Sequence, residues 1–93
     1  MFQVTVLHHA HPEHADEFIA FMHRVIDATK DAAGLIEFTA WRDPQDPGRL
    51  FGFSRWESPE AFQHGLPLIM SLAPERKPEW APRPDEVFTM ITA

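Results

Sequence analysis

The sequence contains no cysteine, no tyrosine and no asparagine. Without cysteine, the chain has no disulfides, no thiolate metal site and no cysteine nucleophile, and a reducing compartment is favoured. No long apolar run and no charged segment with a cleavage site precedes the first strand-like pattern, so we expect no signal peptide and no membrane span. These absences together predict a cytoplasmic protein.

Basic residues are scarce. Eight lysines and arginines stand against fourteen acidic residues, the formal net charge is −6, and Arg76-Lys77 is the only adjacent basic pair. Nucleic-acid binders normally need a basic surface, because neutralisation of phosphates supplies much of their affinity. The charge pattern therefore predicts no nucleic-acid partner.

Large apolar side chains are abundant instead, with eight phenylalanines, three tryptophans and four methionines among 93 residues. Such residues fill irregular apolar pockets and interfaces. The length is that of one small domain with a modest core, which we place at residues 1–93.

The residue pattern predicts the order βαββαβ. Four segments have strand character, at 2–9, 35–42, about 50–57 and 86–92. A first helix begins at Pro12 and ends before Gly34, and a second begins at Ser58-Pro59 and runs to Leu66. The five prolines between 67 and 84 predict irregular chain or short helix. This order favours an α+β, ferredoxin-like antiparallel sheet with both helices on one face.

Both faces of the predicted strands carry apolar residues. We expect the core face to contain Val4, Val6, Ile36, Phe38, Ala40, Phe51, Phe53, Phe88 and Met90. The opposite positions hold Thr5, Leu7, Thr39, Trp41, Leu50, Ser54, Trp56, Val87 and Ile91. A monomer rarely exposes so much apolar surface on one side of a sheet. The pattern therefore predicts a homodimer that packs sheet on sheet.

Three segments carry a resemblance to a known family. They are Gly34-Leu35-Ile36-Glu37-Phe38, the hairpin residues Arg42-Asp43 and Asp46-Pro47-Gly48, and the stretch from Phe53 to Phe62 that contains Trp56-Glu57-Ser58. On the basis of these segments, the chain resembles the antibiotic biosynthesis monooxygenase family of dimeric α+β barrels over nearly its whole length. The resemblance implies a homodimer with a pocket between sheet and helices in each subunit. Some members are cofactor-independent monooxygenases of phenolic or quinol-type aromatics, others degrade haem, and many have no established activity.

The chain also departs from that family. Well-studied members use combinations of Asn, Trp and either Tyr or His in the pocket, and only Trp56 can be carried over here. Many relatives place a histidine nine positions after this aromatic residue, where this chain has Gly65 and where His64 lies one residue earlier. One residue is about 100° around a helix, so His64 is expected to point elsewhere. Haem degradation is therefore not predicted, and we expect no cofactor.

The candidates for a general base are His9, His8 and His64, because imidazole titrates near neutral pH. His8 and His9 face opposite ways on a strand, so only one of them can reach a pocket. His8, His9, His11 and His14 form a dense cluster, but no carboxylate spacing resembles a metal motif, and no metal site is predicted. The expected pocket residues are Trp56, Phe38, Phe53, Phe62 and Met22, with plain core as the alternative for Trp56. Trp80 is expected to fix the proline-rich segment over the pocket mouth or across the dimer.

The sequence and the resemblance together favour a cofactor-independent monooxygenase, or a related redox enzyme, that acts on a small phenol- or quinol-type aromatic. A base in the pocket would deprotonate the substrate, and its anion would react with oxygen. The alternative is a non-catalytic dimeric module that binds a small hydrophobic molecule. The missing Asn and Tyr favour this second interpretation.

Overall fold

The computed structural model describes residues 1–93 and has the predicted order of elements. Four strands form one sheet: β1 (Phe2–His9), β2 (Leu35–Asp43), β3 (Asp46–Trp56) and β4 (Glu86–Ile91). Their order is β2-β3-β1-β4, and every neighbouring pair is antiparallel. Two helices, α1 (Ala15–Thr29) and α2 (Pro59–Met70), pack against one face. The α+β ferredoxin-like fold predicted from the sequence is confirmed.

The helix boundaries follow local signals with three differences from the prediction. The residues Pro12–His14 form a short 3-10 helix, and α1 begins only at Ala15. The first helix ends at Thr29, and Gly34, with a φ of 80°, makes the turn that leads into β2. Glycine suits this position because it enters the left-handed region without steric cost. At the start of α2, Ser58 Oγ accepts a hydrogen bond from the Ala61 amide at 3.1 Å. The second helix then continues through Pro67 to Met70, four residues beyond the predicted end.

The register of the strands decides which side chains meet the helices. Val4 pairs with Ser54 and Val6 with Gly52, so these residues share the face that packs against α1 and α2. Residues at alternate positions point to the other side, which we call the outer face. On β3, Leu50 and Trp56 lie on the helix face and are completely buried.

The predicted core faces of β3 and β4 are therefore wrong. Phe51 and Phe53 on β3, and Phe88 and Met90 on β4, lie on the outer face rather than in the core. Apolar character alone favoured the phenylalanines as core residues, but the helix face of β3 carries the small residues Gly52 and Ser54 between Leu50 and Trp56. These small residues are needed because the sheet borders a cavity there.

The proline-rich segment between α2 and β4 contains two short 3-10 helices, Ala73–Glu75 and Pro78–Trp80. Trp80 anchors it within the same chain. The indole is buried against Phe18 and Phe21, with ring centroids 5.6 Å and 5.9 Å away, and its Nε1 donates to Glu17 at 3.2 Å. Its carbonyl accepts a hydrogen bond from the His11 amide. Neither helix of the fold has the length and apolar character required to span a membrane.

Candidate functional site

A cavity of about 470 Å³ lies between the helix face of the sheet and the two helices. Twelve of its seventeen lining residues are hydrophobic, which gives it the character of a site for an apolar ligand. Its volume falls in the range of about 300–1,000 Å³ that small-molecule sites occupy. The lining includes Val4, Val6, Met22, Val25, Phe38 and Phe62.

The polar end of the cavity is formed by His8, Arg76 and Asp85. The Arg76 guanidinium donates two hydrogen bonds to the Asp85 carboxylate, at 2.6 Å and 2.7 Å. His8 Nδ1 lies 3.0 Å from Asp85 Oδ1; the approach is short but not aligned as a full hydrogen bond, and this buried nitrogen has no other partner. His8, near the start of the chain, thus meets Arg76 and Asp85, which lie nine residues apart near its end.

The charge of Asp85 is stabilised by its neighbours. Partial burial alone would raise the pKa of this carboxyl, but the bonds from Arg76 and the contact with His8 outweigh it and hold the pKa well below its usual value. Asp85 is therefore ionised at neutral pH. The pair of Arg76 and Asp85 places a fixed anion and a fixed cation beside His8.

Gly52 forms the floor of the cavity next to His8. A Cβ at this position would meet His8 Nε2 at 3.7 Å, Met22 Cε at 3.9 Å and a Phe38 ring carbon at 4.0 Å. His8 therefore presents Nε2 to the space above Gly52, whereas its Nδ1 faces Asp85. An imidazole nitrogen in an apolar cavity can accept a proton from a bound ligand.

The structure separates the three histidines that the sequence offered as bases. His8 lines the cavity, whereas His9 points to the outer face, where its Nε2 lies 2.6 Å from Glu86 and its Nδ1 lies 3.2 Å from Arg83 Nη2. His64 is exposed on α2 and does not line the cavity. A catalytic role for any of the three stays a prediction, but the geometry favours His8.

Three of the five expected pocket residues, Met22, Phe38 and Phe62, line the cavity. Phe53 does not, because it lies on the outer face beside Arg55, whose guanidinium is 5.9 Å from its ring. Trp56 is fully buried behind the cavity wall and donates from Nε1 to Ser54 Oγ at 2.9 Å. This position fits the alternative interpretation of Trp56 as a core residue.

The four histidines near the end of β1 do not converge on one point. His8 and His9 contact different carboxylates on opposite faces, and His14 Nδ1 lies 3.5 Å from Glu17. No three histidine, aspartate or glutamate side chains come together as metal ligands would.

Comparison with known proteins assigns the chain to a family. The model of the family described as "Antibiotic biosynthesis monooxygenase" matches residues 1–64, about two thirds of the chain. The chain belongs to the antibiotic biosynthesis monooxygenase family. No curated protein matches the sequence.

Solved structures share the fold over almost the whole chain. A crystal structure of an antibiotic biosynthesis monooxygenase is 17% identical, with 100% of this chain and 99% of that chain covered and a TM-score of 0.85. Rv0793 from Mycobacterium tuberculosis is 20% identical, with 99% and 94% covered and a TM-score of 0.83. SnoaB, a cofactor-independent oxygenase from Streptomyces nogalater, is 16% identical, with 98% and 91% covered and a TM-score of 0.80. At these identities the likeness to the three structures shows the fold alone.

Arg76 and Asp85 lie beyond residue 64, outside the part of the chain that the antibiotic biosynthesis monooxygenase model matches. Sequence reasoning missed both of them as site residues. They belong to the proline-rich segment and its junction with β4, where no periodicity indicates which side chains point inward. Of the three residues, only His8 could be placed from the sequence. It lies two and four residues from Val6 and Val4 on β1, so the alternation of side chains along a strand puts all three on the same face.

Proposed function

We propose that the protein is a cofactor-independent monooxygenase, or a related redox enzyme, that acts on a small phenol- or quinol-type aromatic. The observation that carries this proposal is the position of His8 Nε2 at the floor of a predominantly apolar cavity. Membership of the family and the fold shared with a cofactor-independent oxygenase support it. The apolar walls suit an aromatic ring system, and the single polar end suits one acidic hydroxyl.

In the proposed reaction, the ligand hydroxyl gives its proton to His8 Nε2. The resulting anion is electron-rich and reacts with molecular oxygen at a ring carbon. For an anthrone-type substrate, a CH₂ group and O₂ become a carbonyl group and water, so that the substrate supplies all the electrons. The cation of Arg76 lies at the same end of the cavity and would stabilise negative charge that develops there.

An oxygen electrode tests this proposal directly. Purified protein is mixed with a panel of hydroquinones and anthrones, and oxygen uptake above the uncatalysed background is expected for at least one of them. The variant His8→Gln should lower the rate by about 10²-fold or more, the scale of general base catalysis. A rate that survives in His8→Gln but is lost in His9→Gln would show that the base is wrongly assigned. No rate above background across the panel would contradict the activity itself.

A second candidate is a non-catalytic module that binds a small hydrophobic molecule. The specific observation in its favour is the small polar part of the cavity wall, which lacks the Asn and Tyr side chains that a phenolic substrate could use. Tight binding of an aromatic ligand without oxygen uptake, measured on the same preparation, would decide for this candidate.

We further propose that two copies pair through the outer face of the sheet. Trp41, Phe88 and Met90 on that face are 61%, 49% and 50% exposed in the single chain, although they are among its largest apolar residues. A patch of this kind is unusual on a monomer, and a two-fold axis would let each copy cover the other. Light scattering after size-exclusion chromatography should give twice the chain mass.

A further inference from the structure

The polar end of the cavity is assembled from three separate segments. His8 comes from β1, Arg76 follows the first short 3-10 helix after α2, and Asp85 directly precedes β4. Phe18 joins them from α1, because its ring lies 4.9 Å from the His8 ring and 4.8 Å from Arg76 Cζ. Hydrogen bonds therefore join Arg76 to Asp85, and the Phe18 ring packs against both His8 and Arg76.

The hydrogen bonds determine which atoms can carry protons. Both oxygens of Asp85 accept from Arg76, and an ionised carboxylate is only an acceptor. A bare Nδ1 lone pair 3.0 Å from Asp85 Oδ1 would face another acceptor, which is repulsive. The contact therefore favours an N–H at the atom that faces Asp85. In the neutral ring, the remaining nitrogen, Nε2, then has no proton and can accept one.

A purely structural ion pair would explain Arg76 and Asp85 but not the orientation of His8. The two residues could link the proline-rich segment to β4 without any imidazole nearby. Instead, the buried Nδ1 has no other group to bond, and Nε2 is left facing the empty space above Gly52. Catalytic hydrogen bonds are often poorly aligned without substrate and tighten when it binds, which fits the bent contact between His8 and Asp85.

We propose that Asp85, itself held in place by Arg76, is a positioning residue that fixes His8 as the Nδ1–H tautomer and so makes Nε2 the proton acceptor of the cavity. The importance of this arrangement for catalysis rests on the proposed function above. The tautomer itself is a property of the free protein and can be measured without any substrate.

His9, the next residue along the chain, provides an internal control. Its Nε2 faces the Glu86 carboxylate, and Arg83 Nη2, which can only donate, faces its Nδ1. His9 is therefore expected to be the opposite tautomer, with the proton on Nε2. Two adjacent histidines, each beside one carboxylate, should thus carry their protons on different nitrogens.

Nitrogen-15 NMR of the imidazole rings tests this inference. On protein labelled in histidine and studied at a pH where both rings are neutral, His8 should give a protonated Nδ1 and a bare Nε2, and His9 should give the reverse. A His8 ring with the proton on Nε2 in the unaltered protein would overturn the proposal. This measurement requires no variant and therefore does not depend on whether a variant folds.

Two matched variants show whether Asp85 is the cause. In Asp85→Ala, His8 should shift toward the Nε2–H tautomer that free neutral histidine prefers, whereas Glu86→Ala should leave the nitrogen shifts of His8 unchanged. Unchanged His8 shifts in a folded Asp85→Ala protein would overturn the assignment of Asp85. With an active substrate, Asp85→Ala should lower kcat by about 10²-fold, the lower end of the contribution of general base catalysis, with little change in KM, and Glu86→Ala should change neither. A correct tautomer in a protein that never turns over a substrate would contradict the proposed function but support the positioning.

Discussion

Gly65 packs against the indole of Trp56 so closely that a Cβ at position 65 would lie 2.5 Å from Cη2 and 2.7 Å from Cζ3 of the ring. The indole is fully buried and fixed by its bond to Ser54, so it cannot easily move away. Trp56 therefore occupies the space that a larger side chain at position 65 would need. This explains in steric terms why α2 has a glycine, rather than a histidine, nine residues after Trp56.

The substitution Gly65→Ala is expected to destabilise the protein. Alanine is favoured over glycine within a helix by about 1 kcal/mol. Forcing an extra carbon into a packed core costs about 1–3 kcal/mol, and the fixed indole places this site at the upper end. The free energy of unfolding, measured by urea denaturation, should fall by about 1–2 kcal/mol. A variant as stable as the parent would show that the indole can shift.

Gly52→Ala is the matched substitution on the cavity floor. Here the added Cβ meets its neighbours at 3.7–4.0 Å, which is ordinary contact, and the backbone has no positive φ. We expect the free energy of unfolding to change by less than about 1 kcal/mol. The methyl group would nevertheless occupy space beside His8 Nε2, so the affinity for an aromatic ligand should fall, as titration calorimetry would show. Unchanged affinity would mean that the ligand does not lie above Gly52.

The sequence was sufficient to predict the topology, because period-two strands, helix caps and turn residues all indicate the same order of elements. The sequence did not predict which side chains of β3 face the helices. Pairing with β1 places Gly52 and Ser54 on the helix face and Phe51 and Phe53 on the outer face. The polarity of the side chains alone would place the two phenylalanines against the helices, so the face of each residue is decided only by the register between the strands.

The candidate site was predictable only as far as the regular elements reach. His8 could be assigned to the same face of the sheet as Val4 and Val6, because alternate residues of β1 point to the same side. Arg76 and Asp85 could not be found, because their directions depend on how the proline-rich segment folds back over α1. That path is fixed by tertiary contacts of Trp80 and Phe18, which leave no local pattern in the sequence.

Trp80 is expected to be the main anchor of the proline-rich segment. Replacing a buried tryptophan by alanine costs about 3–5 kcal/mol, so Trp80→Ala should be strongly destabilised or unfolded. The control Trp80→Phe keeps an aromatic ring but loses the bond to Glu17 and should cost less. Thermal unfolding followed by circular dichroism would rank the two variants. Equal midpoints would show that the ring packing against Phe18 and Phe21 is not what holds the segment.

The proposed pairing through the outer face predicts that Phe88→Glu is a monomer. A charge at an apolar position of the outer face would be buried without a partner in a sheet-on-sheet interface, which is unfavourable. Leu68→Glu is the matched control, because Leu68 is 43% exposed on α2, away from the outer face. Light scattering should give one chain mass for Phe88→Glu and two for Leu68→Glu. The opposite result would place the interface on the helices.

The lowered pKa of Asp85 predicts a specific dependence of stability on pH. Partial burial opposes ionisation, but Arg76 and His8 outweigh it. The carboxyl therefore binds a proton more weakly in the folded chain than in the unfolded chain, where its pKa is about 3.8. The stabilisation is thus fully present above that value and is lost as the pH falls below it. Compared with Asp85→Asn, the unaltered protein should be more stable at pH 7 by about 1.5–3 kcal/mol, the range for hydrogen bonds to charged groups. Urea denaturation of both proteins between pH 7 and pH 2 should show this difference shrinking below about pH 4. A difference that stays constant over the whole range would mean that the ionised carboxylate does not contribute to folding.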